Sequence, residues 1–177
     1  MAFKFEPHSA LLITDMLNDF VKDDGSLLVP NAKNIVPSIK GYLEAAREQG
    51  VPVVYLTDTH REDDKEFRFW PPHAVENTWG AEVIEELHPL PQEHILRKRR
   101  YSAFFGTDLD ILLRELGAEK LYLVGVLTNI CIYVTAIDAV MHNYQVVVFK
   151  DGVASLSDET DRFIFQQLED IFQIEVV

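Results

Sequence analysis

At 177 residues, with 47% hydrophobic and 25% charged side chains, the chain is long enough to bury one sizeable core and too apolar for the disordered class, and residues 1–177 are expected to form a single domain. A formal charge of -13 and a pI near 4.8 exclude nucleic acid and anionic membrane surfaces as natural partners and point to a small molecule. The single cysteine excludes an internal disulfide; with no signal-peptide pattern in MAFKFEPHS and no apolar run near the roughly eighteen residues of a bilayer span, a cytoplasmic location is expected.

In chain order, ALLITDM (10–16) predicts a short buried strand. Residues 31–49 then predict a helix with Ile35, Ile39, Leu43 and Ala46 on one face and Gly50 as its stop. VPVVYLTD (51–58) predicts the second strand, AEVIEELH (81–88) a short helix and EHILRK (93–98) the third strand. TDLDILLRELG (107–117) predicts a helix capped by Thr107, with Leu109, Leu112, Leu113 and Leu116 turned inward. KLYLVGVL (120–127) is the fourth strand. The segment 130–142 is a helix aligning Ile130, Val134, Ile137 and Met141, YQVVVFKD (144–151) the fifth strand, 158–172 the last helix, and IEVV (174–177) closes the sheet. This alternation predicts a three-layer α/β/α domain on a mainly parallel six-stranded sheet, with right-handed crossovers.

In such sheets ligands bind beyond the carboxyl ends of the strands. Asp15, Asp58, Lys98 and Cys131 fall at four of these ends and are expected to converge. Cys131 follows GVLTNI at a strand-to-helix turn, where free N–H groups and the helix dipole favour a thiolate; the alternative is a small buried hydrophobe. A thiolate attacking a carbonyl carbon needs a base, a cation and oxyanion donors. Asp15 can serve as the base, Lys98 as the cation, and the N–H groups of Leu127 and Cys131 as the donors. Against this, Asp15 can simply cap a turn, and Lys98 sits in RKRR, a run that usually faces water.

The stretch TDTHREDDKEFRFWPPH (57–73) raises a second possibility. Asp58 and His60 are two apart in an extended segment and point the same way, and His73 follows a loop stiffened by Pro71 and Pro72. One carboxylate and two imidazoles suit zinc, iron or manganese and leave a coordination position open. Glu66 is a further candidate ligand, while Glu62, Asp63 and Asp64 are expected to face water. The spacing matches no common zinc motif, and a polar lid without metal is the alternative.

ITDMLNDF, RKRRYSAFFGTDL and GVLTNICIYVTAIDA, in this order, resemble the isochorismatase-like family of cysteine hydrolases, and within it the nicotinamidases. The resemblance spans nearly the whole chain. It implies that Asp15, Lys98 and Cys131 form a catalytic triad and that the Val126–Leu127 peptide is cis, aiming the Leu127 N–H at the oxyanion. TDTHREDDKEFRFWPPHAVENTWGAE is similar to the nicotinamidase metal loop, which implies a divalent metal, zinc first with iron or manganese as alternatives, held by Asp58, His60 and His73 with Glu66 as an extra carboxylate. The implied reaction converts nicotinamide to nicotinate and ammonia through a thioester, with the ring walled by Phe20, Trp70 and Tyr101. Other members of the family act on other small amides or carbamoyl compounds, which stays the alternative. A homo-oligomer is also implied.

Overall fold

A computed structural model describes residues 3–177. Six strands, β1 (Ser9–Thr14), β2 (Val53–Asp58), β3 (His94–Lys98), β4 (Lys120–Val126), β5 (Gln145–Ala154) and β6 (Glu175–Val176), form one sheet in the order β3-β2-β1-β4-β5-β6. Every neighbouring pair is parallel. The helices are α1 (Asn18–Val21), α2 (Ala32–Gln49), α3 (Leu109–Glu115), α4 (Tyr133–Met141) and α5 (Asp158–Phe172). The sequence order reverses between β1 and β4, so the switch-point crevice of this doubly wound sheet opens above their carboxyl ends.

Successive strand residues point to opposite faces, and both faces are covered. Leu11, Ile13, Val53, Tyr55, Val124 and Phe149 pack beneath Ile35, Ile39 and Leu43 of α2. Ala10, Leu12, Val54, Leu56, Leu121 and Leu123 pack against Leu109 and Leu113 of α3, Ala136 and Ala139 of α4, and Ile164 and Leu168 of α5. Helix α2 ends where the sequence places its stop, at Gly50 with φ 67°. At the crevice, β4 comes so close to β1 that a Cβ on Gly125 would lie 1.9 Å from the Thr14 carbonyl oxygen; its φ of 119° also suits only glycine. Among the described residues no helix is long and apolar enough to cross a membrane.

Three local expectations are corrected. AEVIEELH is not a helix; the region holds two single 3-10 turns, Trp79–Ala81 and Glu85–Leu87. Its backbone is taken by the segment after β1: Asn18 N–H donates to Glu82 O at 3.0 Å and Ile84 N–H to Met16 O at 3.0 Å, and Ile84 and Leu87 are buried as anchors. The first strand stops at Thr14, because Asp15 turns to φ 53°. Between β4 and α4 the chain makes a wide π-helical turn, Thr128–Ile132, which re-phases the helix. The buried face of α4 is therefore Thr135, Ala136 and Ala139 following Ile132, whereas Ile130, Val134 and Ile137 are half-buried and Met141 is 64% exposed. In α3, Leu109 and Leu113 are fully buried and Leu112 and Leu116 pack at the margin; the Thr107 hydroxyl accepts the Leu109 N–H at 3.3 Å.

One ion pair fixes the approach to β3. Glu93 accepts from Arg47 Nε at 2.7 Å, from Arg47 Nη2 at 2.9 Å and from the Leu90 N–H at 2.7 Å, tying α2 to the turn that launches the strand carrying Lys98. Burial alone would raise the Glu93 carboxyl, but the Arg47 guanidinium outweighs it and holds the group below its ordinary value of 4.5. A carboxyl depressed on folding contributes its full stability above the ordinary value and loses it as pH falls through the lower folded value. Glu93→Gln should therefore cost about 1–3 kcal/mol at neutral pH, with the gap from wild type closing below about pH 4; urea unfolding at several pH values measures it.

Candidate active site

The four strand-end residues converge. Asp15 is held by its own backbone and by its neighbour: its N–H donates to Leu56 O at 2.8 Å, and its Oδ1 accepts the Asp58 N–H at 2.7 Å. Lys98, the last residue of β3 and in register with Asp58, reaches back across β2 with a fully buried side chain. Its Nζ lies 2.8 Å from Asp15 Oδ2, pairs with Asp58 Oδ1, and is 3.4 Å from Cys131 Sγ. An oxygen of Asp15, an oxygen of Asp58 and the Cys131 sulfur lie within 4.8 Å of one another. The basic run RKRR is thus split, because Lys98 turns into the protein while its neighbours do not.

The electrostatics separate the two carboxylates. Burial and the adjacent Asp58 charge push Asp15 up from 3.8 to about 6, against the pull of Lys98. Asp58 feels the same burial, but Lys98 and His60 outweigh it and bring it to about 2. Burial lifts the Cys131 thiol well above its ordinary value, with Lys98 opposing. Burial also works against the Lys98 charge, yet the two carboxylates hold its ammonium well above the ordinary value. Cys131 is therefore a thiol beside a carboxylate of raised basicity, a pair suited to proton transfer.

Next to this group, one ligand atom from each of Asp58, His60 and His73 lies within 4.8 Å of the others. His60 Nε2 is buried without a hydrogen-bond partner, 3.7 Å from Asp58 Oδ2 and too far to bond to it. His73 Nε2 is 4.0 Å from the same oxygen, and its Nδ1 bonds to Pro71 O at 2.7 Å. An orphaned imidazole nitrogen, a second imidazole and a carboxylate oxygen facing one point fit a divalent metal with room for a further ligand. Glu66 does not join this three-atom cluster. It sits on a 3-10 turn, Lys65–Arg68, lines the adjoining pocket and lies 3.9 Å from Arg100. Burial and the Asp58 charge raise its carboxyl. Asp64, expected to face water, is instead buried. Burial disfavours its charge, but the Glu66 N–H, His60 and Arg99 together hold the carboxyl well below its ordinary value.

Asp58, His73 and Cys131 line one pocket at this edge of the sheet, and His60 lies buried behind it. Phe20, Trp70 and Tyr101 all line it, as do Leu127 and Cys131, whose intervening peptides form the turn after β4; the Val126–Leu127 peptide is cis. Trp70 Nε1 donates to the Tyr101 hydroxyl at 3.1 Å, and the Phe20 ring centroid is 5.5 Å from that of His73. The sequence reading missed the roof of this pocket, Leu27, Leu28 and Val29, together with Leu156. It also missed Asp19. One Asp19 oxygen accepts the Ser26 N–H at 3.0 Å and the other the Ala74 N–H at 2.8 Å, so a single carboxylate holds both the roof and the residue after His73. Gly80 completes this anchor, since a Cβ there would lie 2.1 Å from Asp19 Oδ2. A polar NDF run signals neither pairing.

Residues 9–176 match the isochorismatase domain. The chain belongs to the isochorismatase family. Among solved structures of the family it is similar to the nicotinamidase/pyrazinamidase PncA of Bacillus subtilis, at 33% identity and a TM-score of 0.90 over 96% of this chain and 98% of that one. It is equally similar to the pyrazinamidase of Pyrococcus horikoshii in complex with zinc, at 32% identity and a TM-score of 0.90 over 97% and 99% of the two chains. A curated relative of a different specificity, the ureidoacrylate amidohydrolase RutB of Caulobacter segnis, is 28% identical over 94% of this chain and 79% of its own length.

Two substitutions test this geometry. Lys98→Met leaves Asp15 and Asp58 buried without their cation and should cost about 3–5 kcal/mol of stability, read as a fall in the urea midpoint. Gly125→Ala drives a methyl group into the Thr14 carbonyl at a backbone angle that only glycine adopts easily; a loss on the order of 3 kcal/mol is expected in the same measurement.

Proposed function

We propose that the protein is a cysteine amidohydrolase that converts nicotinamide to nicotinate and ammonia, with zinc as the metal held by Asp58, His60 and His73 and iron or manganese compatible with the same donors. The observation that carries this reading is that Asp58 and His73 of that donor set, with His60 clustered behind them, line an apolar, aromatic pocket that Cys131 also lines. Bound there, the metal supplies a Lewis-acid contact for a ring nitrogen, which orients the ring.

In the proposed reaction Asp15 takes the thiol proton of Cys131, and Lys98 keeps the local charge in balance. The thiolate adds to the carboxamide carbon, and the N–H groups of Leu127 and Cys131 meet the oxyanion. Asp15 returns its proton to the departing nitrogen, and ammonia leaves. Water, deprotonated by Asp15, then opens the thioester, giving nicotinate and restoring the thiol. Phe20, Trp70 and Tyr101 hold the ring between aromatic faces while this happens.

Charge argues against the ureidoacrylate type of substrate. That molecule carries a carboxylate, and with the metal position given to a ring nitrogen a site for it would need a side-chain cation on the pocket wall. Among the described residues the lining includes no arginine or lysine, while Asp15, Asp58 and Glu66 add negative charge. The Lys98 ammonium is already shared between two carboxylates beneath the floor. An uncharged amide fits this wall.

Nicotinamide turnover, followed as ammonia and nicotinate together, should fall by about three orders of magnitude or more in Cys131→Ala. It should also be lost on chelation and return with zinc. Activity that survives in Cys131→Ala would overturn the thioester route in favour of a metal-bound hydroxide. A wild-type enzyme that ignores nicotinamide and pyrazinamide but cleaves ureidoacrylate would overturn the substrate assignment.

A further inference from the structure

Asp64 stands apart in the run REDDKE. Glu62 and Asp63 on one side and Lys65 on the other are exposed, whereas the Asp64 side chain has no exposed surface. Its two oxygens are surrounded by donors. Oδ2 faces His60 Nδ1 at 3.2 Å and accepts from Arg99 Nε at 3.2 Å and Arg99 Nη2 at 3.1 Å. Oδ1 accepts the Glu66 N–H at 3.1 Å and Arg100 Nη1 at 3.2 Å. Both guanidiniums are partly exposed, 51% and 41% by side chain, so their charge is solvated on one side and delivered to a buried carboxylate on the other. The His60 ring is itself fully buried.

An imidazole that donates through Nδ1 keeps its lone pair on Nε2. In His60 that is the atom left without a hydrogen-bond partner and turned towards Asp58 and His73. His73 reaches the same outcome through a neutral backbone carbonyl, so the two imidazoles are oriented by partners of different charge. We propose that Asp64, clamped by Arg99 and Arg100, is the positioning residue of the metal centre: it locks His60 as the Nδ1–H tautomer with Nε2 aimed at the metal position. The inference rests on the metal reading given above. The same carboxylate caps the 3-10 turn that carries Glu66 and leads to Trp70, which ties the ligand to one wall of the ring pocket.

The test is zinc binding by the metal-free full-length protein, measured by competition with a chromophoric chelator, beside the nitrogen chemical shifts of the His60 ring in the same metal-free sample. Wild type should bind one zinc and show His60 protonated at Nδ1. Asp64→Asn should remain folded, lose the single Nδ1–H signature and bind zinc about 10- to 100-fold more weakly. The double variant Arg99→Gln, Arg100→Gln, which changes only partly exposed side chains, should shift both readouts in the same direction by a smaller factor and decides the matter if Asp64→Asn does not fold. Unchanged zinc affinity and an unchanged ring signature in the folded variants would overturn the positioning role while leaving the metal reading intact. Failure of the wild type to bind zinc, iron or manganese would overturn both.

Discussion

The Lys98 ammonium is the constraint around which the rest is arranged. A buried cation is costly to desolvate and is held only by partners equally buried. Here those partners are Asp58, at the end of the neighbouring strand β2, and Asp15, just past the end of β1 one strand further on. Two carboxylates brought this close repel, so the cation that joins them also divides their properties: Asp58 stays ionised and free to face a metal, while Asp15 is left with raised basicity beside the thiol. Sheet register does the placing. Asp58 pairs with Lys98 across β2 and β3, and Thr14 pairs with Gly125 across β1 and β4, where the missing side chain lets the strands close.

How much of this could be read from the chain depends on range. Alternating apolar runs and helical patterns report the local period, and that was enough to bring Asp15, Asp58, Lys98 and Cys131 to one edge, because a parallel sheet has all its carboxyl ends on one side. The two-residue spacing of Asp58 and His60 likewise fixes their common direction without further knowledge. What failed was whatever a distant partner decides. AEVIEELH has a helical pattern, but its N–H and C=O groups are claimed by residues 16–18. The stripe Ile130, Val134, Ile137, Met141 is a sound helical face, displaced from the core by one wide turn that composition does not announce. Asp64 reads as one more acid in a solvated run until two arginines from 35 and 36 residues further on close over it.

The site thus consists of two layers. The inner one, Asp15, Asp58, Lys98 and Cys131 with His60 and His73, stands at strand ends or on the segments that directly follow them and is buried almost completely. The outer one, from the roof at Leu27–Val29 to Trp70, Tyr101 and Leu156, stands on loops and is mostly apolar. Rigid strands suit groups that must be placed to fractions of an ångström, and loops suit the surface that chooses what enters.

Asp19 joins these layers at one point, and this bears on how such a protein can change over generations. A substitution at Asp19 disturbs the roof and the His73 segment together, since both backbones hang on the same carboxylate. Substitutions at Leu28 or Leu156, which line the pocket and are 44% and 54% exposed, leave both of these anchors and the core in place. Substrate preference is therefore free to drift through a few apolar side chains while the reacting groups stay where they are, which gives a physical reason why one scaffold serves relatives with different amide substrates.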